Sequence, residues 1–224
     1  MNGKLIVIEG LDGSGKNTQA QRLADTLAAQ GCNVRKISFP QYDSPSSALV
    51  KMYLAGDFGK SADSVNAYAA SSFYAVDRYA TFKGGLLDFY QQGGIIIADR
   101  YTTSNAIHQC SKLPEEEWKE FTDWLFHYEY ELLGIPAPDK VIYLRVDTQI
   151  SQKLMTGRYN GDDTKKDIHE RDVDYLMRSR KAADFCVKEL GWLPVECCKD
   201  GAMRTIDDIA EEILSIASCQ AEPA

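Results

Sequence analysis

The residues in this chain best suited to do chemistry lie near its start, where Gly10-Leu11-Asp12-Gly13-Ser14-Gly15-Lys16-Asn17-Thr18 follows a short apolar run. The spacing G-x-x-x-x-G-K sets glycines where consecutive backbone N–H groups can turn toward one centre. A helix opening directly behind them adds its positive end, and a lysine there can reach the β- and γ-phosphates of a nucleotide. The pattern alone is weak evidence, because a glycine-rich strand-to-helix turn capped by Ser14 would carry the same letters. Its position after an N-terminal buried strand strengthens it. Asn17 departs from the Ser or Thr whose hydroxyl normally goes to magnesium, although its side chain still offers a carbonyl oxygen. Thr18, one position on, points about 100° away on a helix.

A second constellation, Asp99-Arg100-Tyr101, ends another apolar run. In open α/β folds the carboxyl edge of the sheet is where ligands sit. There Asp99 is suited to hold magnesium or its waters, and Arg100 offers a planar fork for a phosphate. Taken alone, the pair also fits a helix N-terminal Asp beside a surface Arg; the glycine-rich loop upstream favours the functional reading.

These residues need a scaffold, and the apolar pattern supplies one. Short runs rich in β-branched residues occur at Leu5 to Ile8, Val34 to Phe39, Ile95 to Ala98, Val141 to Leu144 and Leu193 to Val195. Stretches of helical period separate them: Lys16 to Gln30, Ser46 to Ala55, Ser64 to Phe82, Pro114 to Leu132, Glu170 to Leu190 and Ile206 to Ala217. That alternation predicts an α/β fold with a parallel sheet. The first run is continuously apolar, as a strand covered on both faces requires. Gly157 to Asp167 is polar and aperiodic, which predicts a mobile surface loop, and the residues from Ser218 onward read as a frayed tail.

With 224 residues and ordinary apolar and charged fractions, the chain suits one domain, 1–217. Its net charge of -8 argues against coating nucleic acid or anionic lipid, since both reward basic excess. Neither a signal peptide nor a membrane span is expected, and a cytoplasmic location is. The six cysteines show no C-x-x-C spacing and read as reduced thiols without a metal role.

The segments Glu9 to Lys16, Phe39-Pro40 and Asp99-Arg100-Tyr101-Thr102-Thr103-Ser104-Asn105, with Tyr74 to Arg78 and the basic loop before Glu170, occur in the order of the thymidylate kinases. The chain resembles that family over nearly its whole length. The resemblance implies a P-loop NTPase-type three-layer sandwich with a five-stranded parallel sheet flanked by helices, often as a homodimer. It implies the reaction ATP plus dTMP giving ADP plus dTDP, with Mg2+. It also implies roles for single residues. Asp12 would meet the acceptor sugar's 3′-hydroxyl and help order the phosphates, and Arg100 would clamp the acceptor phosphate. Phe39 and Pro40 would wall the cleft, with Tyr42 at a phosphate-contacting position. Tyr74 would stack on thymine, Arg78 would bond the base's O4, and Ser104 and Asn105 would lie against the sugar and the base N3 edge. Tyr74 and Arg78 stand four residues apart and share a helix face, as one stacked and hydrogen-bonded base requires. Phe73, Tyr74, Tyr79 and Phe82 also fit a simple core stripe.

The sequence departs from the family in places. His108 stands where an aromatic often abuts C2′ of the sugar, and Leu154 where an Arg commonly stacks on adenine. Gly13 replaces an Arg that some members carry in the phosphate loop. A loop without that Arg needs positive charge from elsewhere during phosphoryl transfer. Arg158, Lys165 and Lys166 are the candidates in the predicted lid, and Arg158 is preferred for its delocalised fork. Glu170 follows the lid, either facing Asp12's side of the cleft or simply complementing a helix dipole. Two rival readings remain open at this level: another nucleoside or nucleotide kinase, and a nucleotide-binding regulator that holds ATP without turnover.

Overall fold

The structure, a computed structural model, describes residues 2–147, 150, 151, 154 and 173–218. Five strands, β1 (Lys4–Gly10), β2 (Val34–Ser38), β3 (Ile95–Asp99), β4 (Lys140–Arg145) and β5 (Leu193–Glu196), form one sheet in the order β2-β3-β1-β4-β5. Every pairing in it is parallel. The expected sheet is present, with each strand within two residues of its predicted limits.

Side chains of a strand alternate between faces, and β1 shows what that does here. Leu5 and Val7 join Ile96, Ala98, Val141 and Tyr143 in a core that includes Phe121, Leu125, Ala182 and Cys186. Ile6 and Ile8 join Ile97, Ile142 and Leu144 in a second core with Ala20, Leu23, Leu27, Ile209 and Ile213. The sheet is therefore the middle of three layers. On one side lie α3 (Ala67–Thr81), α5 (Thr102–Cys110), α6 (Trp118–Phe126) and α7 (Val173–Glu189); on the other lie α1 (Lys16–Ala29) and α8 (Ile206–Ser218). Two shorter helices, α2 (Ala48–Ala55) and α4 (Leu87–Gln91), and a hairpin of β6 (Cys198–Lys199) and β7 (Ala202–Met203) complete the described chain.

Helix limits differ from expectation for local reasons. The second predicted helix opens as a 3-10 turn, Pro45–Ser47. The third begins at Ala67 instead of Ser64, because Ser61 and Ser64 close a capping box of their own and Asn66 caps Ala69 N. It then runs into a π-helical turn, Phe82–Leu86. The predicted helix over Pro114 to Leu132 is a 3-10 turn, then α6, then a π-helical turn at His127–Leu132. Helix α5 was not anticipated, since Thr102, Thr103, Ser104 and Asn105 are weak helix formers; packing against α3, α6 and α7 holds it. Ser218 ends α8 instead of opening the tail. The predicted lid at 157–167, with Arg158, Lys165 and Lys166, and also Glu170 and residues 219–224, lie outside the described residues. No helix among those described is long and apolar enough to cross a membrane. Cys110 and Cys197 are free thiols that burial pushes up to about 12, which keeps them unreactive.

Candidate active site

Strand β1 delivers Gly10 to the sheet's carboxyl edge, and the chain turns through Leu11 to Ser14, where Ser14 N donates to Leu11 O at 3.2 Å. Gly15 then takes a left-handed conformation, φ 83°, that a β-carbon disfavours, and α1 starts on it. No side chain caps α1, and Ser14 Oγ is buried without a partner, so the reading of a Ser14-capped turn fails. The first-turn amides of α1 remain available to an anion. Lys16 is 7% exposed, and its Nζ donates to Leu11 O at 2.8 Å. Burial and the positive charge of Arg100 lower its pKa to about 8, against the opposing pull of Asp12, Asp99 and Glu9.

The Asp99-Arg100-Tyr101 constellation leaves the neighbouring strand. Asp99 pairs in register with Ile8 of β1, so the chain emerges beside the phosphate loop. Arg100 is itself left-handed, with φ 67°. Its Nη2 donates to Asp12 Oδ1, and its Nη1 donates to Ser104 Oγ at 3.5 Å and His108 Nε2 at 3.3 Å. Burial pulls the Arg100 pKa down, but the carboxylates of Asp12, Glu9 and Asp99 outweigh it and raise the pKa, so the guanidinium stays charged. Glu9 was given no role from sequence, yet it organises this corner. Fully buried, it accepts from Gly10 N at 3.0 Å through Oε1, and from Thr103 Oγ1 and Ser104 Oγ, both at 2.8 Å, through Oε2. The signal for it was a charged residue within an otherwise apolar first strand.

On the far side of the cleft, α3 carries Tyr74 and Arg78. Tyr74 meets Tyr53 edge-on at 6.5 Å between centroids. Arg78 is fully buried and forked onto Glu129, with Nε to Oε2 at 2.6 Å and Nη2 to Oε1 at 2.5 Å. Asn105 Nδ2 donates to Ser71 O at 3.3 Å, tying α5 to α3. Phe39 and Pro40 follow β2 through a cis peptide bond, and Asp77 anchors the next turn by accepting from Gln41 N at 2.8 Å and Ser46 Oγ at 2.6 Å. Tyr42 stands half exposed at the rim. His108 also stacks on Tyr175 of α7, whose hydroxyl donates to His108 O at 3.1 Å.

These parts line one cleft of about 730 Å³. Asp12, Gly13, Ser14, Gly15, Lys16, Asn17, Thr18, Phe39, Pro40, Tyr42, Tyr74, Arg78, Asp99, Arg100, Ser104, Asn105 and His108 all border it. Gly10 lies just behind, where an added β-carbon would sit 2.6 Å from Ser14 Oγ. Met203, Arg204, Ile206 and Ile209 close the arm beside α1 together with Leu154. Sequence reasoning missed these four residues, of which Met203 ends the unanticipated β6–β7 hairpin and the other three follow it. Gln19 Nε2 holds that arm by donating to Ile206 O at 3.0 Å, and Arg204 is tied to Glu212 at 2.5 Å.

Asp99 Oδ1 is buried with no hydrogen-bond partner, the condition of an oxygen that fits a divalent cation or its waters. Asn17 Oδ1 instead accepts from Lys36 Nζ at 2.6 Å and would have to release that bond to ligate. No group of three or more His, Cys, Asp or Glu among the described residues forms a ready cation cage. Mg2+ shared with nucleotide phosphates needs only one or two carboxylates.

Comparison with known proteins agrees with this geometry. The sequence profile described as thymidylate kinase matches residues 8–197. A thymidylate kinase of Mycobacterium tuberculosis (strain ATCC 25618 / H37Rv) is 32% identical over 179 residues, spanning 78% of this chain and 81% of the relative. A probable thymidylate kinase of Staphylothermus marinus is 33% identical over 180 residues, 80% of this chain and 79% of its own length. The thymidylate kinase of Schizosaccharomyces pombe is 27% identical over 217 residues, covering 96% and 92%. Among solved structures, thymidylate kinase from Candida albicans shares the fold with a TM-score of 0.69 at 23% identity, over 96% of this chain and 91% of that one. Phosphate loop, Arg100 and sheet order thus occur together in a chain that belongs to the thymidylate kinase family of P-loop phosphotransferases.

Proposed function

We propose that the enzyme transfers the γ-phosphoryl group of ATP to dTMP, giving ADP and dTDP. The observation that carries this reading is the meeting of Asp12, Lys16 and Arg100 at one sheet edge, inside a cleft of about 730 Å³. ATP's phosphates lie over Gly13 to Thr18, and its base points toward the arm of Met203, Arg204, Ile206 and Leu154. The dTMP phosphate rests on Arg100, with the sugar against Asp12, Ser104 and His108. Its base lies on Tyr74 between Phe39, Pro40, Asn105 and Arg78, with Tyr42 at the phosphate rim.

An acceptor phosphate is already anionic, so no strong general base is required, and catalysis is alignment plus charge stabilisation. Lys16 and Arg100 supply fixed positive charge on either side of the migrating group. Asp12, bonded to Arg100, holds that fork in line. Arg158, outside the described residues, is assigned the further charge that Gly13 does not provide. Asp99, and secondarily Asn17, would hold magnesium, which would supply charge neutralisation on the phosphate oxygens. A homodimer and a cytoplasmic location belong to the same reading; Val76 and Tyr79 leave apolar surface exposed on α3 for the dimer.

The test is ADP release with ATP and magnesium, using dTMP, dUMP, UMP and thymidine in parallel, for the natural chain and Arg100→Ala. The expected result is turnover with dTMP far above UMP and thymidine. The dUMP rate should be lower, since the thymine methyl is worth about 1–3 kcal/mol. Arg100→Ala should lose roughly 100-fold or more in kcat/KM, the scale of one charge-stabilising donor. ATP binding with no acceptor phosphorylated would overturn the assignment in favour of a regulator.

A further inference from the structure

We propose that Glu129 is a positioning residue for acceptor-base selectivity, acting by holding the Arg78 guanidinium in one plane at the wall of the cleft. The inference rests on the dTMP reading above and adds to it a residue behind the cleft lining.

Two charged residues are buried where the helical pattern calls for apolar ones. Arg78 lies on the face of α3 that also buries Ala67, Ala70, Ser71 and Ala75. Glu129 comes four residues after Leu125, continuing the buried stripe of Trp118, Phe121, Thr122 and Leu125 into the π-helical turn. Such a pair costs desolvation free energy that apolar residues of similar volume would not, so packing stability is a poor reason for it. Single-turn π segments inside helices occur frequently at functional sites.

The geometry of the pair says what it accomplishes. Glu129 takes one whole edge of the guanidinium, Nε and Nη2, in a bidentate fork. Thr102 Oγ1 donates to Glu129 Oε2 at 2.9 Å and fixes the carboxylate in turn. The remaining nitrogen, Nη1, has only a long contact of 3.5 Å to Tyr101 O, and Arg78 borders the cleft. A planar fork fixed along one edge leaves the other in a set direction. A guanidinium has donors and no acceptor. Held in that plane it satisfies a base that presents a carbonyl oxygen and opposes one that presents an amino group at the same ring position. Glu129→Gln keeps the size but replaces one acceptor oxygen by an amide NH2 that faces the arginine's own N–H groups. The fork is lost, and the cation is free to turn.

The experiment measures steady-state constants for ATP, dTMP and dCMP with Glu129→Gln, Thr102→Val, Arg78→Gln and the double variant Arg78→Gln/Glu129→Gln. Glu129→Gln is expected to raise KM for dTMP by roughly 10- to 100-fold, the usual cost of losing an orienting partner. It should leave KM for ATP within about twofold and narrow the preference for dTMP over dCMP. Thr102→Val, which leaves the ion pair intact, is expected to raise KM for dTMP by roughly 3- to 10-fold, and it answers the question if Glu129→Gln does not fold. In the Arg78→Gln background, adding Glu129→Gln should change KM for dTMP by less than about twofold. An unchanged dTMP-to-dCMP ratio in foldable Glu129→Gln or Thr102→Val, or an equal loss with Arg78 already removed, overturns the inference and leaves dTMP kinase activity standing. A natural chain that phosphorylates no dTMP sinks both.

Discussion

Lys16 provides a quantitative prediction, because its burial makes nucleotide binding draw in a proton. In the ligand-free protein burial and Arg100 hold its pKa at about 8, against 10.5 for an ordinary lysine. Polyphosphate over the loop surrounds the ammonium with negative charge and restores the ordinary value or more. Binding of ATP at pH 9 should therefore take up about 0.9 proton, and at pH 8 about 0.5. Affinity should fall roughly tenfold between pH 7 and pH 9, where ATP's own phosphates are already ionised. Titration calorimetry in two buffers of unlike ionisation enthalpy reads the uptake directly, with Lys16→Met as the control that abolishes it. The same shift fixes the sign for stability. Between pH 8 and 10.5 the unfolded chain holds the extra proton, so this group makes the ligand-free protein more stable as pH rises across that window. The contribution is about 3 kcal/mol, and it is lost as pH falls through 8. A binding enthalpy at pH 9 that does not depend on the buffer, or a Lys16→Met chain with the same pH-stability slope as the natural one, would refute the reasoning.

Two further outcomes are expected. Asp99→Asn removes a buried carboxylate with one oxygen lacking a hydrogen bond, and with it an attraction that helps keep Lys16 and Arg100 charged, so the magnesium concentration needed for half-maximal turnover should increase by roughly tenfold; a magnesium titration checks it. Gly3→Ala would drive a β-carbon to within 1.9 Å of Gly94 O and 2.8 Å of Tyr90 O, both backbone, at the start of β1. It should cost about 1–3 kcal/mol in denaturant unfolding with little change in KM for either nucleotide.

How much of this was legible beforehand depends on the range of the interaction. The strands were readable because a parallel sheet covered on both faces writes continuous β-branched runs into the sequence, as Leu5 to Ile8 does. The phosphate loop was readable because its parts are contiguous. Helix α5 was not, because Thr102 to Asn105 form it against their own propensities, held by Glu9, Ser71 and Glu129 from other parts of the chain. The same limit hid Glu9 and Glu129: each was visible as a carboxylate on an apolar stripe, but its partner lay 94 and 51 residues away, respectively. The hairpin after β5 left no signal, since two-residue strands carry no period to detect.

The register of β1 against β3 separates two properties that selection could otherwise change only together. Ile8 faces Asp99 across one strand spacing, so the loop assigned to the donor and the arginine assigned to the acceptor start from rails set by backbone hydrogen bonds. Tyr74 and Arg78, assigned to the base, ride instead on α3, and Glu129 on the extension of α6. Replacements on those helices retune which base is admitted while the line of transfer stays where the sheet puts it. A lineage, or an engineer, seeking a new acceptor would find the variation to use in α3 and in the turn at His127–Leu132, and would leave the rails alone.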